Sequence, residues 1–524
     1  MSEQLALLPG YLTAHLQLTL VALLLGTAIS LPLGIWVTRH PRAESLVLGI
    51  AGAIQTIPSL ALLAVMVPAL AGAGALTTRL LGIDIPSIGY LPAIIGLTLY
   101  SVLPILRNTV AGIRGVDAAV VEAARGVGMT PRQQLRLVEL PLALPVIVAG
   151  IRTATVWVVG IATLSTPIGA PSLGNYIFSG LQTRNLAAVL VGCAAAAALA
   201  LVLDGLVRAL EIGVWARRRG VVGVALAVLL VLYAGTAASV VRDWLPASAR
   251  PITIGAKTFT EQYVLSEIIA GEIERSTAHP TRIVASLGST VAFDALVAGA
   301  LDLYVDYTGT IWATIMKRTD VPSDPAIVLA EVSRYLTDTH GITMVATLGF
   351  ENAYALAMRD EAAGRLGITT ISDLTRHAPT LVMAGDYEFF SRPEWTALER
   401  TYALRFRDRR SMDSSLMYMA LASAQVDVIS AFSTDGRIAA FGLTILTDDQ
   451  HVIPPYDAVL LASARLAREA PDVLTALRPL AGAIGADTMR HLNAAVDQDG
   501  QSAAAAAHAF LEGGTAPTAL SPTP

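Results

Sequence analysis

Residues 121–145 read VEAARGVGMTPRQQLRLVELPLALP, and this stretch decides how the first half of the chain is understood. Glu122, Ala123 and Ala124 lie in a helix-forming segment of small residues. Gly128 stands where such a helix would end, because glycine tolerates a left-handed cap. Thr130, Pro131 and Gln133 then spell a second helix start: a capping hydroxyl, a proline at the first position and a glutamine that completes a capping box. Pro141 is expected to end that helix. The spacing predicts a helix-turn-helix whose small residues admit the close approach of another protein, with Glu122 offering a charge.

On either side the chain is strongly apolar. Hydrophobic residues make up 54% of its 524 residues and charged residues 15%, against about 25% charged in soluble proteins. A membrane helix needs about 20 mostly apolar residues. Qualifying stretches run Leu16–Val37, Ser45–Leu70, Pro86–Leu106, Thr153–Thr166, Leu186–Leu203 and Val221–Val241. The second holds Gln55 and Pro58 and is longer than a crossing needs, which predicts a kink or a re-entrant piece. The fourth is short unless it begins near Leu142. That start would carry Arg152 into the bilayer, where it must snorkel or face protein.

Arginine placement sets the expected orientation. Arg39 and Arg42 separate spans one and two; Arg107, Arg114, Arg125, Arg132 and Arg136 separate three and four; Arg208 and Arg217–Arg219 separate five and six. The opposite loops hold Arg79 and Arg184. The arginine-rich loops are therefore expected in the cytoplasm of a bacterial cell, with the amino terminus and everything after span six outside the inner membrane. The first span lacks a basic flank and is not a signal peptide. Arg217–Arg219 before Val221–Val241 resembles an internal signal sequence, read here as an uncleaved anchor.

Net charge is −5 without a long basic run, so nothing suggests nucleic acid. The one cysteine, Cys193, rules out an intrachain disulfide or a cysteine-based metal site. Histidines are scattered singly, no acid/base or nucleophile cluster stands out, and no metal or cofactor is expected. Lys257 and Lys317 are the only lysines, and neither lies in a nucleotide-binding G-x-x-x-x-G-K-[ST] frame.

The spacing of Glu122, Ala123, Ala124, Gly128, Val138, Leu140 and Pro141 resembles the EAA loop of ABC importer permeases. A plain amphipathic loop is the alternative. In that family the loop docks into a groove on an ATPase subunit, so the resemblance implies a separate ATPase partner, a homodimer of membrane domains, and no catalysis by this chain. Ile54–Leu70 (IQTIPSLALLAVMVPAL) and Ile168–Asn185 (IGAPSLGNYIFSGLQTRN) resemble the betaine and choline branch of these permeases.

From Arg250 onward short β-like and helical pieces alternate, which predicts α/β lobes. Ile252–Ile254 reads as a strand, GAKTF as a loop and Thr260 as a helix cap, placing Lys257 beside a helix amino terminus that suits a carboxylate. GAKTFTEQYVLSEIIAGEIE (255–274), LVAGALDLYVDYTGT (296–310), FENAYALAMRD (350–360) and PPYDAVLLAS (454–463) resemble the solute-binding proteins for glycine betaine, choline and carnitine. The resemblance implies a type II two-lobed periplasmic-binding-protein fold closing on a quaternary ammonium compound. It also implies an aromatic cage of Tyr307, Tyr354, Phe432 and Tyr456, and carboxylate contacts from Lys257, Thr310 and Arg392. Asn352 would add a backbone carbonyl to the cation. The family usually carries tyrosine at Phe432, and R-x-D-G where this chain has SRPEW around Arg392.

The expected organisation is an all-α polytopic membrane domain over 1–220, with its docking loop at 117–141, and an anchor and linker over 221–249. A solute-binding domain follows over 250–508, with lobe 1 at 251–350 and 456–508 and lobe 2 at 351–455. A disordered tail is expected over 509–524, with the alanine run belonging to it. The implied function is the permease and receptor of an ATP-driven importer for glycine betaine, carnitine or choline. Ergothioneine is an alternative cargo, and a membrane-tethered solute sensor an alternative class.

Overall fold

The computed structural model describes residues 2–81, 85–183, 185–216, 218–244, 250–318 and 325–513. Arg184, Arg217 and most of the expected linker and tail lie outside these ranges. The chain forms two compact units: a mainly helical one, residues 1–178 with 187–248, and an α/β one, residues 249–524 with the short stretch 179–186.

The helical unit opens with α1 (Ser2–Thr38), which buries Leu18, Leu20, Leu23 and Val37 and leaves Leu24, Leu25 and Ile29 exposed. Helices α2 (Pro41–Thr56) and α3 (Ser59–Leu81) follow. They bend by 99° at their junction. The break is the one expected at Pro58: Ile57, the residue before it, is extended at φ −67°, ψ 129°, because proline excludes the helical region from its predecessor. Next comes α4 (Tyr90–Arg114), buried along most of its length. Small residues let its neighbours close in. A Cβ on Gly26 of α1 would lie 1.8 Å from Ser101 Oγ, and one on Gly150 would lie 2.5 Å from Asn108 Cβ.

After α5 (Ala118–Gly126) and α6 (Pro131–Gln134) the chain does not stop at Pro141. It widens into a π-type turn over Leu135–Glu139 and runs straight into α7 (Leu140–Ala162). Proline in a first turn forfeits no hydrogen bond, so Pro141 begins this helix instead of ending the previous one. The fourth span is thus not short, and Arg152 lies inside it. Its guanidinium bonds both carboxylate oxygens of Asp204, at 2.6 and 3.1 Å, and reaches Glu211 at 3.4 Å. Facing protein, as expected, it ties α7 to the long helix that carries both acids, Leu186–Trp215. Helices α8 (Gly174–Gln182), α9 (Leu186–Trp215) and α10 (Arg219–Trp244) complete the unit. Among the described residues five stretches are long and apolar enough to cross a membrane, or six if the bent α2–α3 pair counts as one span.

The second unit has two five-stranded sheets. The first lobe orders its strands β2 (Thr281–Leu287), β1 (Ile252–Lys257), β3 (Leu303–Tyr307), β10 (Asp457–Ala462) and β4 (Thr343–Glu351). The second orders β7 (Asp408–Ser411), β6 (Val382–Gly385), β8 (Val428–Phe432), β5 (Tyr354–Arg359) and β9 (Leu443–Leu446). In each sheet one late or crossing strand runs antiparallel to otherwise parallel neighbours: β10 against β3 and β4, and β5 against β8 and β9. The chain passes between lobes twice, from Glu351 to Tyr354 and from Leu446 to Asp457.

Behind β1 lies α11 (Thr260–Ser276), with most of its first turns buried. Thr260 does not cap it. Phe259 holds the cap position, and the Thr260 hydroxyl instead donates to Asp497 Oδ1 at 2.6 Å. The alanine run is likewise not tail: Ala503–Leu511 is a helix capped by Ser502. It packs so closely on α11 that a Cβ on Gly271 would stand 2.5 Å from Leu511 Cδ1. Alanine has the highest helix propensity, and here it also fits a tight helix-helix contact. Residues 514–524 of the expected tail lie outside the described ranges.

Candidate functional site

Local rules build the helix-turn-helix of the first unit. The Asp117 carboxylate accepts from Ala119 N at 2.9 Å to start α5. Gly128 turns the chain at φ +82°, a conformation that strains residues with a Cβ. Thr130 and Gln133 form the expected reciprocal capping box. Glu122, Ala123 and Gly128 are exposed, while Ala124 packs inward. Val127, 74% exposed, stands beside them as an apolar surface residue.

In the second unit the two lobes enclose a cleft, and all eight candidate ligand residues line it: Lys257, Tyr307, Thr310, Asn352, Tyr354, Arg392, Phe432 and Tyr456. Strand ends and crossings put them there. Lys257 and Tyr307 end β1 and β3, Tyr354 opens β5 and Phe432 ends β8. Asn352 and Tyr456 sit on the two connections between lobes.

The rings form a continuous chain. Tyr456 meets Tyr354 edge-on at 6.0 Å, and Tyr354 meets Phe432 at 5.0 Å. Phe432 stacks on Phe259 at 6.2 Å, and Phe259 on Tyr307 at 6.2 Å. Phe259 was not among the expected residues, although GAKTF contains it. Gly309 makes room for the Tyr456 ring, since a Cβ there would lie 2.5 Å from Tyr456 Cε2.

The charges differ in how they are answered. The Lys257 ammonium pairs with Asp306, whose other oxygen accepts from Tyr304 at 2.5 Å. With three N–H groups it retains donors for a ligand. Arg392, 6% exposed, sits 5.1 Å over the Tyr354 ring and donates from Nη1 to Thr314 Oγ1 at 3.1 Å, a bond from lobe 2 to lobe 1. Its Nε is buried without an acceptor. Such an orphaned charged donor in a cleft calls for an acceptor from the ligand. Asp386, Glu388 and Asp413 also contribute carboxylates to the cleft, and Glu388 lies 3.8 Å from Arg392 Nη2. Burial raises the Asp386 carboxyl above the usual range, partly offset by backbone N–H donation from Glu388 and Phe389.

Two further carboxylates stand behind the rings. Glu261 Oε1 accepts from Tyr307 Oη at 2.5 Å and Asn352 Nδ2 at 3.0 Å. Its Oε2 accepts from Thr434 Oγ1 at 2.5 Å and Asn493 Nδ2 at 3.3 Å. The Tyr456 hydroxyl donates to Glu394. Burial pushes the phenols of Tyr307, Tyr354 and Tyr456 well above their ordinary pKa, so they keep their hydrogens. A ring-lined cleft that also presents the donors of Lys257 and Arg392 can hold a zwitterion whose cation is too methylated to donate hydrogen bonds.

Comparisons with known proteins agree with this division. Residues 250–513 match the substrate-binding domain of ABC-type glycine betaine transport systems, and residues 30–215 match the inner-membrane component of binding-protein-dependent transport systems. The chain is 29% identical to an ergothioneine transport permease/ergothioneine binding protein of Helicobacter pylori, over 92% of this chain and 85% of that one. It is 46% identical to a choline transport permease of Bacillus subtilis, over 36% of this chain and 80% of that one. It is also 34% identical to a glycine-betaine-binding protein of Pseudomonas aeruginosa, over 51% of this chain and 88% of that one. A multi-pass membrane permease fused to a substrate-binding domain, the chain belongs to the ABC-type glycine betaine transport family.

Proposed function

We propose that this chain captures a betaine-type quaternary ammonium zwitterion outside the cell and passes it through its own membrane domain. One observation carries this reading. Five rings in sequence line a cleft in which Arg392 Nε stands buried without an acceptor. A trimethylammonium head cannot donate strong hydrogen bonds, and each ring face offers it about 0.5–2 kcal/mol when desolvated. The ligand carboxylate then supplies the acceptor for Arg392, assisted by Lys257 and Thr310. Sugars and unmethylated amino acids gain nothing comparable from the rings.

The exposed face of α5, with Glu122, Ala123 and Gly128 and with Ala124 packing behind it, is the docking surface for a separate ATPase subunit. Two copies of the chain would complete the translocation pathway. Following the arginine asymmetry, α5 lies in the cytoplasm and the two-lobed unit outside. Tethering keeps the receptor at an effective concentration on the order of millimolar near the permease for a short linker, so capture limits uptake more than encounter does.

A second cargo, ergothioneine, is favoured by the likeness to the Helicobacter protein along nearly the whole chain. It shares the trimethylammonium and carboxylate and adds a ring with N–H groups. Asn352 Oδ1, buried in the cleft wall without a donor, suits such an N–H. Calorimetric titration of the detergent-solubilised chain with glycine betaine, carnitine, choline and ergothioneine tests the reading. Submillimolar binding of one of them supports it, and heat from none of the four refutes it.

A further inference from the structure

Glu261 is fully buried, and among the described residues no Lys, Arg or His pairs with it. Four donors surround its two oxygens, the environment of an acceptor-only, ionised carboxylate. Burial lifts its pKa and those four hydrogen bonds work against the lift. Glu394 is also buried. One oxygen takes the Tyr456 hydroxyl and forms a long ion pair with Arg392 at 3.9 Å, and the other has no partner. Buried carboxylates are costly without a counter-charge. Here each sits directly behind a tyrosine whose ring faces the cleft.

A third tyrosine supplies the contrast. Tyr304 also donates to a buried carboxylate, Asp306, but it is not among the cleft residues, and Asp306 has Lys257 as its counter-ion. Asp306 is in direct contact with its cation, Glu394 meets Arg392 only at 3.9 Å, and Glu261 has no cationic partner among the described residues.

We propose that Glu261 and Glu394 charge the rings of Tyr307 and Tyr456 for a permanent cation. Each accepts a phenol hydrogen, enriches the ring face with electron density, and leaves its own negative charge for the ligand head to neutralise. This inference deepens the quaternary ammonium reading and rests on it. Both residues are positioning and tuning groups behind the wall; neither touches the ligand. Selectivity for a cation over a neutral body of the same shape is thereby built outside the contact surface.

The test compares glycine betaine with 3,3-dimethylbutanoate, which replaces the nitrogen by carbon and keeps shape and carboxylate. Calorimetry is run on the detergent-solubilised full chain, wild type, Glu261→Gln and Glu394→Gln. We expect the preference for glycine betaine over the isostere to fall about tenfold in each variant, a charge lost several ångströms from the ligand. A merely structural role weakens both ligands together and leaves the ratio alone. An unchanged ratio in both variants overturns the proposal while the cage stands. A wild type without preference for glycine betaine overturns the cage reading and this proposal with it. Should Glu261→Gln fail to fold, Tyr307→Phe removes only the phenol link, and its ratio must fall as well.

Discussion

Glu139, buried where the chain turns into α7, pairs with Arg39 just beyond the end of α1. Gln134 donates to the same carboxylate at 2.5 Å and accepts from Arg125 of α5 at 3.3 Å. One buried group thus joins the proposed docking helix to two spans. Glu139→Ala removes two hydrogen bonds, costing about 1–3 kcal/mol, with the Arg39 share discounted because Arg39 is half exposed. We expect ligand affinity unchanged and uptake reduced severalfold, measured in proteoliposomes with the cognate ATPase subunit. Normal uptake would mean that the pair is dispensable for coupling.

Glu122 faces outward on α5. Glu122→Arg reverses a surface charge at low folding cost. Capture should be intact by calorimetry while ATP-driven transport stops. Transport at wild-type rate would remove α5 as the docking element.

Tyr307→Ala with Tyr456→Ala deletes two of the five rings. At about 0.5–2 kcal/mol each, the pair should weaken the winning ligand by about five- to a thousandfold. Titration showing an unchanged dissociation constant would dismiss the cage.

Gly309→Ala drives a methyl into the Tyr456 ring. Overpacking of this kind costs about 1–3 kcal/mol. The expected result is a lowered melting temperature together with at least fivefold weaker capture. A variant matching wild type in both would show that the ring shifts freely.

Asp386 carries the pH prediction. Its raised pKa means that it gains a proton at a higher pH than an ordinary carboxylate. Below that point the cleft loses a negative charge that acts on Arg392, so the hold of Arg392 on a ligand carboxylate strengthens as pH drops. Asp386→Asn should already bind more tightly at neutral pH and lose this part of the pH dependence. Parallel pH profiles for wild type and variant would assign the titration elsewhere.

Much of the architecture was legible because single residues carry strong rules. Pro58 forces its predecessor out of the helix, and Thr130 with Gln133 fixes a cap. Pro141 misled because proline is equally at home before a helix and in its first turn. The alanine run misled because it has no periodicity to reveal the face that packs on α11. In the cleft, the eight expected residues came through a resemblance between motifs. Phe259 and Asp386 lay within or beside quoted stretches but had no spacing signal of their own. Glu261 and Glu394 were silent for a deeper reason: their roles exist only through partners 46 and 62 residues away.

The two polypeptide crossings between the lobes carry Asn352, Tyr354 and Tyr456. If cargo is held there as proposed, it bears on the pivot itself, and a longer or bulkier passenger is expected to set a different angle of shutting.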